Sequence, residues 1–354
     1  MPGSPPPAVA CVSLEPWDEV WRRNQHFAAQ LVDQGLVSRL VFVEPPRLGE
    51  RPRRWSPRAG IDVVRPLLPA PKRLGGLRLA GALLQTTDLR RVTVVWVNDA
   101  TLGRHCLRRG VRAVYDVTDD WRTFDNPAYI RRRIVMAEDA LARRATTIVC
   151  SEVLAQRWLE RYGSRPPVVQ NAVDLTAFAD VVPRQLDGPG PHLGYVGTLH
   201  SQRIDVDLVL RLAREIGGTV HLVGPASLDD ASRQRLAGEP RVRLHGPVPA
   251  AEVPAWMTAM DVLVCPHLVN DFTLSLDAIK AHEYAAAGRP VVATPTSGFQ
   301  LLDDPGIAVV PPERFVAAAR LAAGGRSPVN RPTGWADRSR EFAQWLLAPE
   351  PSCA

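Results

Sequence analysis

The chain has 354 residues, 45% of them apolar and 23% charged, with a net charge of +6 at neutral pH. That is enough apolar material for two full cores, and it excludes a disordered or fibrous chain. The basic excess falls in Arg pairs on expected helix surfaces, such as Arg22-Arg23, Arg108-Arg109 and Arg143-Arg144. No dense basic stripe or nucleic-acid module is visible, so nucleic acid is not an expected partner.

The first half alternates apolar strands with amphipathic helices. Strands are expected at Val9 to Leu14, Leu40 to Val43, Ile61 to Val64, Val92 to Val97, Ala113 to Val117, Thr146 to Cys150 and Val168 to Val169. The first helix is expected over Trp17 to Asp33, and others over Tyr129 to Arg143 and Glu152 to Arg161. Residues 47–60 are rich in Arg, Pro and Gly and read as an exposed loop. Short, near-continuous apolar strands between helices indicate a parallel sheet covered on both faces.

Residues 180–191 lose this periodicity and carry Pro and Gly, so the interdomain linker is placed there. The alternation then restarts, with strands near residues 192, 220, 242, 262, 291 and 307. Helices are expected at Asp205 to Glu215, Ser232 to Leu236, Ala251 to Ala259, Ser275 to Ala287 and Glu313 to Ala323, with a closing helix from Trp335 to Leu347. The expected fold class is therefore α/β, with two Rossmann-like doubly wound domains, residues 1–180 and 192–330, facing each other across a cleft. In open sheets of this kind, ligands bind beyond the carboxyl ends of the strands.

The five Cys residues show no metal spacing, and three of them (Cys11, Cys150, Cys265) sit in strand-like runs. This suits a reducing cytoplasm and argues against a disulfide framework or a zinc site. The first residues do not read as a signal peptide, and no apolar run reaches membrane-span length. A cytoplasmic protein is expected. The Arg-rich segments 51–58 and 131–133 leave room for peripheral contact with the inner membrane face.

Residues 270–298 are the most informative stretch. A polar loop leads into a short helix bearing Lys280 and Glu283, which share a face because they are three apart. Gly288 ends the helix, and Pro290 opens an apolar strand. A cation and an acid side by side near a helix start suit a phosphorylated, hydroxyl-bearing ligand.

Several motifs together resemble GT-B glycosyltransferases, close to bacterial glycosyltransferase family 4, the group 1 enzymes. They are Gly194-Tyr195-Val196-Gly197-Thr198-Leu199 between a strand and a helix, Asp261 to Pro266, and the Lys-x-x-Glu-Tyr and Ala-x-Gly-x-Pro-Val-Val pattern within 275–292. Val169-Gln170-Asn171-Ala172-Val173-Asp174, Trp17 to Asn24 and Tyr115 to Trp121 add to the likeness. The resemblance implies a nucleotide-sugar donor held by the C-terminal domain and an acceptor held mainly by the N-terminal one. It also implies that the helix at 335–347 crosses back to the N-terminal domain. No metal and no cofactor are expected beyond the nucleoside-diphosphate sugar as co-substrate.

On this reading Glu283 takes the ribose hydroxyls, Lys280 and Arg203 face the diphosphate, and Gly197 and Thr198 let the backbone approach it. Gly246 and Val248 lie where relatives bind the base through backbone atoms. Ser275 stands eight positions before Glu283, where the family's first motif Glu would be; Asp271 or Asp277 could substitute, and Asp277 could equally be a helix-start acid. Asp119 and Asp120 are read as acceptor-side groups rather than metal ligands, with Asp119 and His26 as candidate catalytic groups. Trp17, Arg22 and Asp120 are candidate acceptor contacts; His26 and the tryptophans could equally be packing residues. The acceptor could be a small molecule, a polysaccharide or a lipid-linked intermediate.

The leading function is transfer of a sugar from a nucleoside-diphosphate sugar to an acceptor hydroxyl, metal-independent, with retention preferred over inversion. The rivals are a nucleotide-sugar epimerase or phosphorylase of the same fold, and a donor-binding protein without catalysis. A dehydrogenase is weaker, because Gly194-x-x-Gly197 is not the dinucleotide fingerprint.

Overall fold

The computed structural model describes residues 5–302, 304–325 and 332–348. The chain divides into two compact units. The first runs to Gln170 and includes the residues from Trp335 onward; the second is Asn171–Gly334.

The first unit comprises β1 (Ala8–Val12), α1 (Arg23–Asp33), β2 (Arg39–Val43), β3 (Arg53–Arg58), β4 (Ile61–Arg65), α2 (Gly76–Thr86), β5 (Val94–Val97), α3 (Ala100–Gly103), β6 (Arg112–Val117), α4 (Ala128–Ala142), β7 (Thr146–Val149) and α5 (Glu152–Tyr162). The second comprises β8 (His192–Val196), β9 (Leu199–His200), α6 (Val206–Ile216), β10 (Thr219–Val223), β11 (Ala226–Ser227), α7 (Asp230–Ala237), β12 (Val242–Gly246), α8 (Val253–Ala259), β13 (Val262–Cys265), α9 (Ile279–Ala286), β14 (Val291–Ala293), α10 (Ser297–Gln300), β15 (Ile307–Val309) and α11 (Phe315–Ala323). A last helix, α12 (Trp335–Leu346), belongs to the first unit.

Each unit is built on one main sheet. The first has the order β3-β4-β2-β1-β5-β6-β7 and is parallel except for β3, which runs antiparallel to β4. The second has the order β12-β10-β8-β13-β14-β15 and is parallel throughout. Strands such as β1, β5 and β13 are buried along nearly their whole length, which is why they read as unbroken apolar runs. Helix starts follow capping chemistry: Ser151 accepts the Leu154 N–H at 3.2 Å, and Asp205 accepts the Leu208 N–H at 2.9 Å. Leu208, Val209, Leu212, Ala213 and Ile216 line the buried stripe of α6. Burial of each large aliphatic side chain contributes about 1.5–3 kcal/mol.

The tail helix docks through aromatic rings. Phe342 stacks on Phe27 at 4.3 Å between centroids, and Trp96 meets Phe342 edge-on at 4.9 Å. Together these rings attach α12 to α1.

Four elements differ from the sequence reading. Helix α1 starts at Arg23 rather than Trp17, because buried Glu44 accepts the Trp17 N–H at 2.7 Å and Gln25 accepts the Arg22 N–H at 3.1 Å. Val20 is left exposed ahead of the helix. The segment read as a 47–60 loop contains edge strand β3, with Pro57 at the register break between Trp55 and Arg58. Val168 makes only a bridge to Val149. The expected helix from Ser275 is split into a short turn, Thr273–Ser275, and α9.

The unit boundary also falls ten residues before the expected end of the first domain at residue 180. Asn171 bonds to Asp277, Val173 bridges Gly334, and Phe178 packs on the second core. These contacts hold 171–180 in the second unit.

Candidate functional site

The site in the second unit is framed by the ends of β8 and β10. Gly197 follows β8 with φ +146°, and a Cβ there would stand 2.0 Å from Lys280 Nζ. Its N–H donates to Val223 O at 2.8 Å. Gly224 follows β10 with φ +135°, and a Cβ there would lie 2.2 Å from Gly197 O. Both positions require glycine because the backbones and the lysine occupy that space. Tyr284 Oη accepts the Val196 N–H at 2.9 Å, and Tyr195 Oη donates to Thr198 O at 3.1 Å. Thr198 itself is exposed.

Two cations converge on this frame. Lys280 lies in the first turn of α9, half-buried, with Nζ donating to Val196 O at 3.0 Å and standing 4.7 Å over the Tyr195 ring. Burial pushes its pKa down, and nearby Arg203 pushes the same way, against the opposing pull of Cys265 and Glu283. Arg203 lies with its guanidinium 5.3 Å from the Phe272 ring centroid, and its Nε has no hydrogen-bond partner. His267, fully enclosed and 3.2 Å from Tyr195 Oη, senses both cations: burial, then Lys280 and Arg203, push its pKa down to about 3. The enclosure is electropositive, and the imidazole inside it is neutral.

Glu283 is one helical turn beyond Lys280. It is half-buried, and its carboxylate makes no hydrogen bond or ion pair among the described residues. Burial raises its pKa, while Lys280 and His282 oppose the rise. A carboxylate with free acceptor oxygens can take two adjacent hydroxyls, and a pair of cations at strand and helix ends can hold a diphosphate. Lys280, Arg203, Gly197, Thr198 and Glu283 therefore stand in one neighbourhood.

Ser275 does not join them. It is fully buried, and its hydroxyl donates to Phe272 O at 2.7 Å within its own turn. The hydroxyl is thus engaged within the turn, and the expected donor role near Ser275 rests on backbone N–H groups. Asp277 is buried too. Its carboxylate accepts the Asn171 N–H and faces His282 Nε2 at 3.3 Å, and its carbonyl accepts from Asn171 Nδ2. It lies one residue before the N-cap Ala278, so neither the substitute-acid role nor the helix-start role describes it. It fastens the Asn171 turn to the start of α9. Asp271 is exposed. At the end of β12, Gly246 has φ +73° and its carbonyl accepts the Gly224 N–H at 2.8 Å, while Val248 packs against the core.

The candidates in the first unit are mostly engaged in structure. Asp120 is 1% exposed and accepts from Arg157 at 3.0 Å and Arg161 at 2.9 Å. Two guanidinium groups thus already engage its carboxylate, which disfavours its reading as an acceptor contact. His26 is stacked on Trp335 at 4.7 Å and touched edge-on by Trp21 at 5.2 Å. Its ring is a spacer between α1 and α12, which disfavours the general-base reading. Trp17 packs edge-on against Phe42 at 5.0 Å. Arg22 pairs with Asp18 at 3.1 Å and Glu15 at 3.5 Å. Asp119 is half-buried and accepts from the Thr118 hydroxyl at 3.3 Å.

One buried ion pair of the first unit joins two residues that the sequence reading did not connect. Arg23 and Asp116 form a buried two-point pair, each contact 3.0 Å, and Arg23 also donates to Gln170 O at 3.1 Å.

Family models match both halves of the chain. The model described as Glycosyl transferase 4-like domain covers residues 19–172, and Glycosyl transferases group 1 covers 190–323. The chain belongs to the GT-B glycosyltransferases. Among curated proteins it is 28% identical over 200 residues to the putative teichuronic acid biosynthesis glycosyltransferase TuaH of Bacillus subtilis (strain 168), across 52% of this chain and 50% of that one. The match thus spans about half the length of that relative. Among solved structures, sucrose-phosphate synthase from Thermosynechococcus elongatus superposes with a TM-score of 0.69 at 17% identity, covering 96% of this chain and 94% of that one. Anabaena HepE in complex with UDP and glucose gives 0.63 at 14% identity, covering 97% and 100%.

In this GT-B glycosyltransferase, several residues that build the site were not legible as such. Tyr195, His267 and Tyr284 position the strand end through hydrogen bonds, yet each reads in sequence as an ordinary core or loop residue. The Asn171–Asp277 link joins two motifs that the sequence did show separately. Their separation by 106 residues left no local signal of contact.

Proposed function

We propose that this chain transfers a sugar from a nucleoside-diphosphate sugar to an acceptor hydroxyl, with retention of anomeric configuration and without a metal. The observation that carries the reading is the pairing of two cations that lack acidic partners among the described residues, Lys280 and Arg203, with a carboxylate unengaged among the same residues, Glu283, beyond the glycine-lined end of β8. Glu283 accepts the ribose hydroxyls. Lys280, Arg203 and the first N–H groups of α9 hold the diphosphate. As the glycosidic bond breaks, negative charge grows on the leaving phosphate, and these preorganised donors stabilise it where a divalent ion would otherwise be needed. Asp119 is the remaining candidate in the first unit for taking the acceptor's proton.

A uridine diphosphate sugar is the first donor to test, because HepE, with the same fold, is in complex with UDP and glucose. A polysaccharide or lipid-linked acceptor is favoured by the biosynthetic role in TuaH's name. The experiment is a thermal-shift screen of UDP-, GDP- and dTDP-sugars, followed by turnover with and without acceptor in the presence of chelator. One donor should raise the melting temperature by mass action. Product should then form only when acceptor is added, with the anomeric configuration of the donor by NMR. Turnover of the donor alone would point to an epimerase. Binding without transfer to any acceptor would point to a donor-binding protein. Absence of any shift would refute the site.

A further inference from the structure

Most arginines of the first unit outside one face have acidic partners. Arg54 pairs with Asp88 and Arg58 with Asp33, so two of the four arginines in the 51–58 segment are neutralised where they lie. Arg39, Arg47, Arg65, Arg122, Arg157, Arg161 and Arg165 are paired as well. The face made by α2, the end of α3 and the first turns of α4 differs in gathering cations without any acid of its own. No acid occurs in 66–87, 100–111 or 126–137. Lys72, Arg73 and Arg78 lead into and lie on α2, Arg104 follows α3, and Arg131, Arg132 and Arg133 lie on α4. None of these has an acidic partner among the described residues.

These charges form one surface. Gly81 of α2 lies so close to His105 that a Cβ there would stand 2.6 Å from the His105 Cβ. Burial, then Arg104 and Arg78, push the His105 pKa down to about 4, and burial followed by Arg133 lowers that of Arg104. The three helices thus bring like charges within range of one another. Large apolar side chains stand exposed among them: Leu74 at 69%, Leu79 at 49% and Leu83 at 48%, with Tyr129 at 67% and Met136 at 54% on α4. Helix α2 buries Leu77, Ala80 and Leu84 on one side and presents arginine and leucine on the other. An unpaired cationic face studded with leucines complements a surface that is both anionic and greasy, which a soluble polyanion is not.

We propose that the α2–α3–α4 face docks this glycosyltransferase onto an anionic phospholipid bilayer. Contact is peripheral: the arginines meet lipid phosphates while Leu79, Leu83 and Tyr129 enter the interface. This places the chemistry beside a membrane surface and favours substrates presented there.

The test is co-sedimentation of the full chain with vesicles of phosphatidylcholine alone and of phosphatidylcholine with phosphatidylglycerol. Wild type should pellet with the anionic vesicles only, and high salt should release it. The triple variant Arg78→Gln, Arg131→Gln, Arg132→Gln should bind on the order of a hundredfold more weakly. The double variant Leu79→Ser, Leu83→Ser should also bind more weakly while keeping its salt dependence. All five lipid-face arginine and leucine sites chosen on α2 and α4 are exposed, so circular dichroism should report native folds. The Arg54→Gln, Arg58→Gln variant, drawn from the paired segment, should bind like wild type. Equal binding by the triple variant and wild type would overturn the proposal. So would retention of wild type on dextran sulfate beads without vesicle binding, which would assign the face to a soluble polyanion.

Discussion

Replacing Lys280 by Met separates a ligand-directed lysine from a structural one. The substitution keeps the length of the side chain and removes its charge. In the fold, Lys280 gains one charge-assisted bond to Val196 O at 3.0 Å and a cation–π contact with Tyr195 at 4.7 Å. Against these stands the burial that pushes its pKa below the ordinary lysine range. A lowered folded-state pKa means that the charged form is held less well in the fold than in the unfolded chain. The Val196 carbonyl also has Tyr284 Oη at 3.4 Å, so the Met variant does not orphan it. The terms nearly cancel, and Lys280→Met should leave stability unchanged or slightly higher.

Donor binding should respond the other way. A hydrogen bond to a charged group contributes about 1.5–3 kcal/mol, so the Kd for nucleoside diphosphate should rise about 10- to 150-fold. The pH dependence has a definite sign. Wild-type stability gains an increment as pH climbs through the lowered pKa of Lys280, and wild-type affinity for the diphosphate falls over the same window as the ammonium is lost. Neither change should appear in the Met variant. Calorimetric titration and chemical denaturation across that alkaline range give both readings. A variant that unfolds more easily but binds diphosphate as tightly as wild type would refute the assignment.

Glu283→Gln should weaken donor binding about tenfold or more without lowering stability, measured by titration and melting. Because the folded-state pKa of Glu283 is raised, its charge costs stability that accrues as pH rises from the ordinary carboxylate range to that raised value; the variant's advantage should grow across this window, be full above it and vanish in acid. Asp116→Asn leaves Arg23 buried without its anion and should cost about 3–5 kcal/mol in denaturant titration while diphosphate binding persists. Ser275→Glu restores the acid that the family resemblance leads one to expect, but at a fully buried position. It should lose at least about 3 kcal/mol of stability rather than gain activity, and a faster, equally stable enzyme would contradict the buried turn.

The strands and most helices were legible because burial on both sheet faces writes itself as apolar runs separated by capped helices. Strands β13 and β14 fall where the pattern placed them. What failed was decided by contacts distant in sequence. Glu44 stops α1 from extending back to Trp17, and Asn171 draws Asp277 out of helical register. At the site, the charged pair on α9 was visible from spacing alone. The tyrosine and histidine supports were not, since a buried Tyr whose hydroxyl bonds to a strand end has the same local pattern as one that merely fills a core.

Acidic and basic residues in this chain separate by whether their bonding capacity is already met. Asp116, Asp120 and Asp277 are acids like Glu283, yet each is buried with donors supplied by the fold. A carboxylate held by two guanidinium groups has no reason to release them for a sugar hydroxyl, because exchanging a charged donor for a neutral one weakens the bond. Glu283 and Arg203 are the reverse case. The fold lowers their contact with water without supplying an oppositely charged partner at bonding distance. On the proposed function, a ligand of matching chemistry would recover the free energy this costs, with hydroxyls for the acid and phosphate oxygens for the cation. The same criterion, applied to the surface, separates Arg54 and Arg58 of β3 from the unpaired arginines of α2 and α4. Unmet charge, rather than charge, is the criterion on which both the proposed donor site and the proposed docking face rest.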